Sequence, residues 1–186
     1  MDRAGLRHAG MARSAHEADQ NTILQVRGLR VALLSYTYGL NRGRLPPDRP
    51  WLVKTIDPRR ILTDARAARA AGAQFVVVLL HWGQEYQSTP TPFQREVARR
   101  LLAAPEVDLI LGHHVHVVQP IERVGGKWVA YGMGNSLSNQ TPSCCAAGSQ
   151  DGVLVKVTVG EEAGRLRVRQ VRYAPTWVEH PSFRIR

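Results

Sequence analysis

The run "FVVVLL", Phe75 to Leu80, sets the first limit on how this chain can fold. Unbroken apolar sequence with no polar alternation describes a strand covered on both faces. Such a strand needs parallel or mixed neighbours and a layer of structure on either side. The residues behind it, "HWGQEY", are aromatic and polar, so the strand ends at an edge with His81 first and Glu85 four residues on.

The flanking sequence supplies the layers. Asp57 is placed to cap a helix that begins at Pro58 and runs to about Ala71, where Gly72 stops it. In "STPTPFQREVARRLLAAP", Thr91 as cap, Pro92 as first helical residue and Gln94 at the third position make a capping box for a helix over 92–104. A second buried strand is expected at Val107–Leu111. Upstream, "TILQVRGLRVALLSYTY" reads as two strands joined at Arg27–Gly28, the second from Leu29 to Tyr36. "GLNRGRLPPDRP" is a turn-rich loop, and Trp51 to Ile56 is expected to be a short strand. Strand, helix, strand, helix, strand in that order predicts right-handed crossovers and a layered α/β fold.

After Leu111 the pattern changes. A hairpin is expected about Gly125–Gly126, then a loop "SLSNQTPSCCAAGSQ", then a second hairpin with strict alternation in "RLRVRQVRY". No repeat or linker divides the chain, so residues 1–186 read as a single domain.

Lys and Arg number 25 against 15 Asp and Glu, a net charge of +10. The arginines are scattered through "DPRRILTDARAARA", "REVARR" and "RLRVRQVRY", with no dense basic run interleaved with aromatics. That scatter reads first as solvated helix and strand faces. A polyanion surface is the alternative, and a basic nucleic-acid module the reading the pattern favours least. No run of about 18 apolar residues offers a membrane span, and the polar start lacks the apolar stretch of a signal peptide. As written, the chain is expected in the cytoplasm. The adjacent Cys144 and Cys145 are expected to be two free thiols, because a bond between neighbours closes a strained ring.

Chemistry gathers at strand ends in open α/β sheets. "LILGHHVHVVQP" places His113, His114 and His116 directly after a strand. If this strand is a parallel neighbour of Phe75–Leu80, His81 and the triple-histidine loop share one edge. Crowded imidazoles repel when protonated, and a divalent metal ion resolves the crowding, since neutral imidazole is a common ligand for zinc, manganese or iron. In extended backbone, residues i and i+2 face one way, so His114 and His116 make the chelating pair and His113 points elsewhere. Gly112 is expected to let the backbone turn. A lone histidine after a strand is ordinarily structural, and so is a bare HxH. Both together carry the metal hypothesis. "YGMGNSLSNQ" puts Asn135 among glycines, which reads equally as a ligand-side turn or an ordinary one.

"HWGQEYQSTPTPFQREVARRLL", "VDLILGHHVHVVQPIE" and "YGMGNSLSNQ" together resemble the CapA family of capsule or poly-γ-glutamate biosynthesis proteins, in segments close to HWGxEY, GHHPHVxQPxE and YSLGNF. "RVALLSYTYGLN" and "YAPTWV" also look like family segments, and the resemblance covers about residues 9 to 180. It implies a calcineurin-like metallophosphatase fold, a layered α/β/β/α sandwich. It further implies His81, His114 and His116 as metal ligands, with His113, Asn135 and Glu85 as site residues. The implied activity is metal-dependent hydrolysis, with an anionic polymer or phosphoester as substrate. Val115 stands where the family has proline, and "YGMGNS" replaces YSLGNF. The family's GD, NLE and NNH-like segments, which supply the remaining metal ligands, have no counterpart in this sequence. By the resemblance, Met1 falls inside the domain and the chain matches the C-terminal half or two-thirds of a family member. The alternative is therefore an inactive fragment or accessory chain retaining half of the metal site. Family members are commonly exported or membrane-associated.

Overall fold

The computed structural model describes residues 2–41 and 43–186; Met1, and Arg42 within the turn-rich loop, lie outside the described residues. After a four-residue helix α1 (Ala15–Ala18), strands β1 (Thr22–Val26) and β2 (Leu29–Thr37) form the expected hairpin. The apolar run becomes β3 (Phe75–Trp82), inside a six-stranded sheet. With β4 (Leu109–His114), β5 (Ile121–Val124) and β6 (Lys127–Ala130), the strand order is β1-β2-β3-β4-β6-β5. Strands β2, β3, β4 and β6 run parallel, and β1 and β5 close the two edges antiparallel.

Alternate residues of β3 serve different layers, which is why the run has no polar position. Val76, Val78 and Leu80 pack with Ile61, Ala65 and Ala68 of helix α2 (Pro58–Ala70) and with Val97, Leu101 and Leu102 of helix α3 (Pro92–Ala103). Phe75, Val77 and Leu79 pack the other way, onto Val157 and Val159 of β7 (Asp151–Glu162) and Leu166 and Val168 of β8 (Arg165–Glu179). Each such side chain contributes roughly 1.5–3 kcal/mol on full burial. With β9 (Arg184–Ile185), β7 and β8 make a second, antiparallel sheet of three strands. The described residues thus supply the helices, the central sheet and the second sheet of the expected layered sandwich.

Both caps form as the sequence predicts. The Asp57 carboxylate accepts from the Arg59 N–H at 2.9 Å, and Thr91 and Gln94 satisfy each other's backbone N–H groups at 3.2 and 2.9 Å.

Two expectations are corrected. Trp51–Ile56 is no strand: Pro50–Leu52 is a 3-10 turn, and only isolated bridges at Val53 and Thr55 pair with Met11 and Thr37. Cys144 and Cys145 are not free thiols but are bonded to each other, in a turn where both backbone N–H groups donate to Thr141 O. The two hairpins after Leu111 are antiparallel as expected, and β6 in addition joins β4 in parallel through Leu109–Trp128 and Leu111–Ala130. Among the described residues no helix is long and apolar enough to cross a membrane.

Candidate functional site

Parallel pairing of β3 and β4 sets His81 opposite His113 and Trp82 opposite His114. The two strands therefore deliver their histidines to one edge, the carboxyl end of the sheet, as the topological rule requires. The ring centroids of His81 and His114 are 4.5 Å apart, and those of His114 and His116 are 6.3 Å apart. Three of the four expected imidazoles converge. His113 is exposed and pairs across the sheet with His81.

The reason given by the sequence for the His114–His116 pairing does not hold. The segment is not extended: His114 has φ 96° and His116 φ 59°. Left-handed backbone at two non-glycine residues costs on the order of 1–3 kcal/mol each and persists only where the surroundings enforce it. Val115 supplies the enforcement. It is 1% exposed, wedged between Gly83 and Gly132, and its carbonyl accepts from the Tyr86 N–H at 2.7 Å. A Cβ on Gly83 or Gly132 would meet the Val115 methyls at 2.7 or 2.5 Å. The family's proline position is thus occupied here by a buried valine plug, which turns the flanking imidazoles toward the same space. Gly112 also has a different role from the one expected. Its Cβ would lie 1.9 Å from Tyr131 O and 2.4 Å from Trp82 Nε1, the two groups that form a 2.9 Å hydrogen bond across β4.

The imidazoles sit in a partly desolvated cluster. Burial, and then the neighbouring rings of His114, His113 and His116, hold His81 below the ordinary histidine value. Burial does the same at His114, against the opposing pull of Glu85. Both are therefore neutral at pH 7, the form that ligates. Glu85 Oε1 lies 3.9 Å from His114 Nδ1, so this carboxylate borders the cluster without hydrogen-bonding to it.

Asn135 is joined to the site by a direct contact, its Oδ1 lying 2.9 Å from His116 Nδ1. Its amide nitrogen donates to Ser149 O at 2.8 Å and reaches Gln140 Oε1 at 3.3 Å. Those partners assign the amide orientation, so Oδ1 accepts and His116 carries its proton on Nδ1, leaving Nε2 with a free lone pair.

Several neighbours were not singled out from sequence. Tyr38 lies against His81 and His114, with centroids 6.0 and 4.7 Å away, and Tyr86 stacks on His116 at 6.0 Å. Tyr38 follows the parallel neighbour β2, so the same strand-end rule that found His81 could have found it. Beneath the loop, buried Gln94 donates to Gln119 Oε1 at 2.8 Å, and Gln119 donates to Gln87 O at 2.8 Å. This amide chain ties helix α3 to the segment after His116.

The donor chemistry fits a divalent cation: neutral imidazoles, one with its tautomer set by a hydrogen-bond partner. Among the described residues, however, no group of three or more His, Cys, Asp or Glu side chains is arranged to hold a metal ion. The histidines make an incomplete set.

A family model for the bacterial capsule synthesis protein PGA_cap matches residues 1–140, a span that holds every candidate site residue. The PGA biosynthesis protein CapA of Bacillus subtilis is 35% identical over 116 residues, covering 62% of this chain and 30% of that protein. The capsule biosynthesis protein CapA of Bacillus anthracis is 29% identical over 140 residues, covering 74% and 34%. The chain thus spans about a third of the length of these curated relatives. A 5'-nucleotidase precursor from Thermus thermophilus shares the fold, at TM-score 0.50 and 18% identity over 83% of this chain and 29% of that one. The layered α/β architecture expected from the sequence is observed in its helical, central-sheet and second-sheet layers, and the chain belongs to the bacterial capsule synthesis protein PGA_cap family.

Proposed function

We propose that this chain carries the histidine side of a divalent-metal centre in a hydrolase-like capsule biosynthesis protein acting on an anionic polymer or a phosphoester. One observation carries the reading: the rings of His81, His114 and His116 meet at the carboxyl edge of β3 and β4, with the His114 side chain only 6% exposed. A bound divalent cation (manganese, zinc or iron) would supply Lewis-acid polarisation of a phosphoryl oxygen. The protein's own residues have separate tasks. His81, His114 and His116 would hold the cation through neutral nitrogens. Asn135 orients His116. Glu85 and His113 border the edge where a substrate would approach, Glu85 as a proton acceptor and His113 as a hydrogen-bond donor. Tyr38 and Tyr86, themselves exposed, lie against the rings of the cluster and would help fix their orientation.

A second reading is favoured by the incomplete donor set. In it, the chain keeps the fold and part of the metal site and acts as an accessory to a protein that brings the rest.

Manganese titration followed by imidazole proton NMR tests the common element. Paramagnetic broadening should strike His81, His114 and His116 first and leave His8, His16 and His180 sharp. Uniform broadening of all these histidines would remove the proposed site.

A further inference from the structure

We propose that the outward face of the β7–β8 hairpin is a docking surface for an anionic polymer bearing repeated carboxylates. The proposal rests on the capsule-polymer reading above and places the polymer on a surface separate from the histidine edge. The hairpin lies outside residues 1–140, so the family match does not speak for it.

The strand register separates two chemistries. On the inner face, Val157 pairs with Val171 and Val159 with Val168, and these side chains cover the central sheet. On the outer face, Lys156 pairs with Arg172, Gly160 with Arg167 and Glu162 with Arg165. Arg169 is the extra residue where the register shifts at Thr158/Val159, and its stem lies over Gly160, where a Cβ would meet its Cγ at 2.9 Å. Glycine at 160 therefore lets Arg169 join Arg167 on the outer face. Lys156, Arg165, Arg167, Arg169 and Arg172 are all exposed. Glu162 is the sole acid at these outer positions, 3.9 Å from both Arg167 and Arg169.

Glu162 and the Glu161 carbonyl, which accepts from Arg169, balance part of this charge at the hairpin tip, but among the described residues no ion pair involves Lys156 or Arg172. Like charges directly opposite on a sheet are destabilising, and Lys156 faces Arg172. A merely solvated face intersperses both signs. Covering the array with an apolar layer would desolvate five cations at several kcal/mol each. What offsets the repulsion is a ligand with many negative charges. Alternate strand positions recur at about 7 Å, so an extended polyanion can meet several cations at once. The absence of aromatic side chains from this face favours carboxylates over nucleic acid, because Tyr173 and Trp177 occupy the inner-face register opposite Val155 and Asp151. Single-stranded nucleic acids are held in part by base stacking on aromatic rings.

The test is fluorescence anisotropy of labelled poly-γ-glutamate with the intact chain at low and moderate salt. The same assay uses an oligothymidylate of equal charge, and the variants Lys156→Ala/Arg167→Ala/Arg172→Ala on the hairpin and Arg59→Ala/Arg66→Ala/Arg100→Ala on the helices, all six residues being exposed. Expected are binding that weakens with salt, a loss of at least ten-fold in the hairpin triple variant, and affinity within two-fold of the parent in the helix triple variant, which removes the same charge elsewhere. Three results would overturn the proposal: no binding at low salt, equal affinity in a folded hairpin triple variant, or oligothymidylate binding as tightly as polyglutamate. Metal retention by the hairpin triple variant, whose histidines are intact, reports on the metal reading alone, so failure of either proposal is distinguishable.

Discussion

Asn135 Oδ1 stands 2.9 Å from His116 Nδ1, held there by the bonds its amide nitrogen makes to Ser149 and Gln140. A residue separated by 19 positions from the histidine thus sets which ring nitrogen is free. Replacing such a partner commonly lowers metal affinity by roughly 10–100-fold while the ligands remain. Asn135→Ala is expected to fall in that range by competition against a chromogenic chelator, with far-ultraviolet circular dichroism unchanged. Affinity within two-fold of the parent would show that Asn135 does not orient the ring.

The plug beneath the histidines gives a second expectation. Val115→Ala removes two methyls from a fully packed site and should cost about 1–3 kcal/mol. Gly112→Ala should cost more, about 3 kcal/mol or beyond, because its Cβ would meet backbone at Tyr131 rather than a movable side chain. Urea unfolding of the two variants checks the order. A Gly112→Ala protein as stable as the parent would contradict the close approach of β4 to Tyr131.

Asp64 gives a pH dependence away from the site. It is 7% exposed, and burial alone would raise its pKa. Hydrogen bonds from Lys54 Nζ at 2.9 Å, Tyr36 Oη at 2.8 Å and Arg60 Nε at 2.8 Å outweigh burial and hold it below the usual carboxylate value. A carboxyl with its pKa lowered on folding stabilises the protein above its unfolded value, about 3.9, and that stabilisation is lost as pH falls through the folded value. Asp64→Asn should therefore cost about 3 kcal/mol at pH 7 and much less near pH 2. Chemical denaturation at the two pH values reads the difference. An equal loss at both would show that the charge of Asp64 is not what matters.

Much of the fold was legible because its signals are local. The apolar run of β3, the Asp57 cap and the Thr91–Gln94 box each specify an element within a few residues. The convergence of His81 with the triple-histidine loop was legible too, since it needs only that two buried strands be parallel neighbours. What sequence could not supply depends on contacts between distant segments. The left-handed backbone at His114 and His116 is imposed by Val115 packing against Gly83 and Gly132, and periodicity alone reads that stretch as extended. The Gln94–Gln119–Gln87 chain joins three segments with no shared pattern. The Trp51–Ile56 strand failed because propensity proposed a strand and tertiary pairing offered only isolated bridges.

Elemental analysis of the purified chain after equilibration with manganese or zinc and desalting, beside His114→Ala, addresses the histidine edge directly. His114 is 6% exposed and lies between His81 and His116, so its loss should break the set. About one equivalent of metal in the parent and little in His114→Ala is the expected result. No retained metal in the folded parent, or equal metal in both proteins, would contradict a metal site built on these histidines.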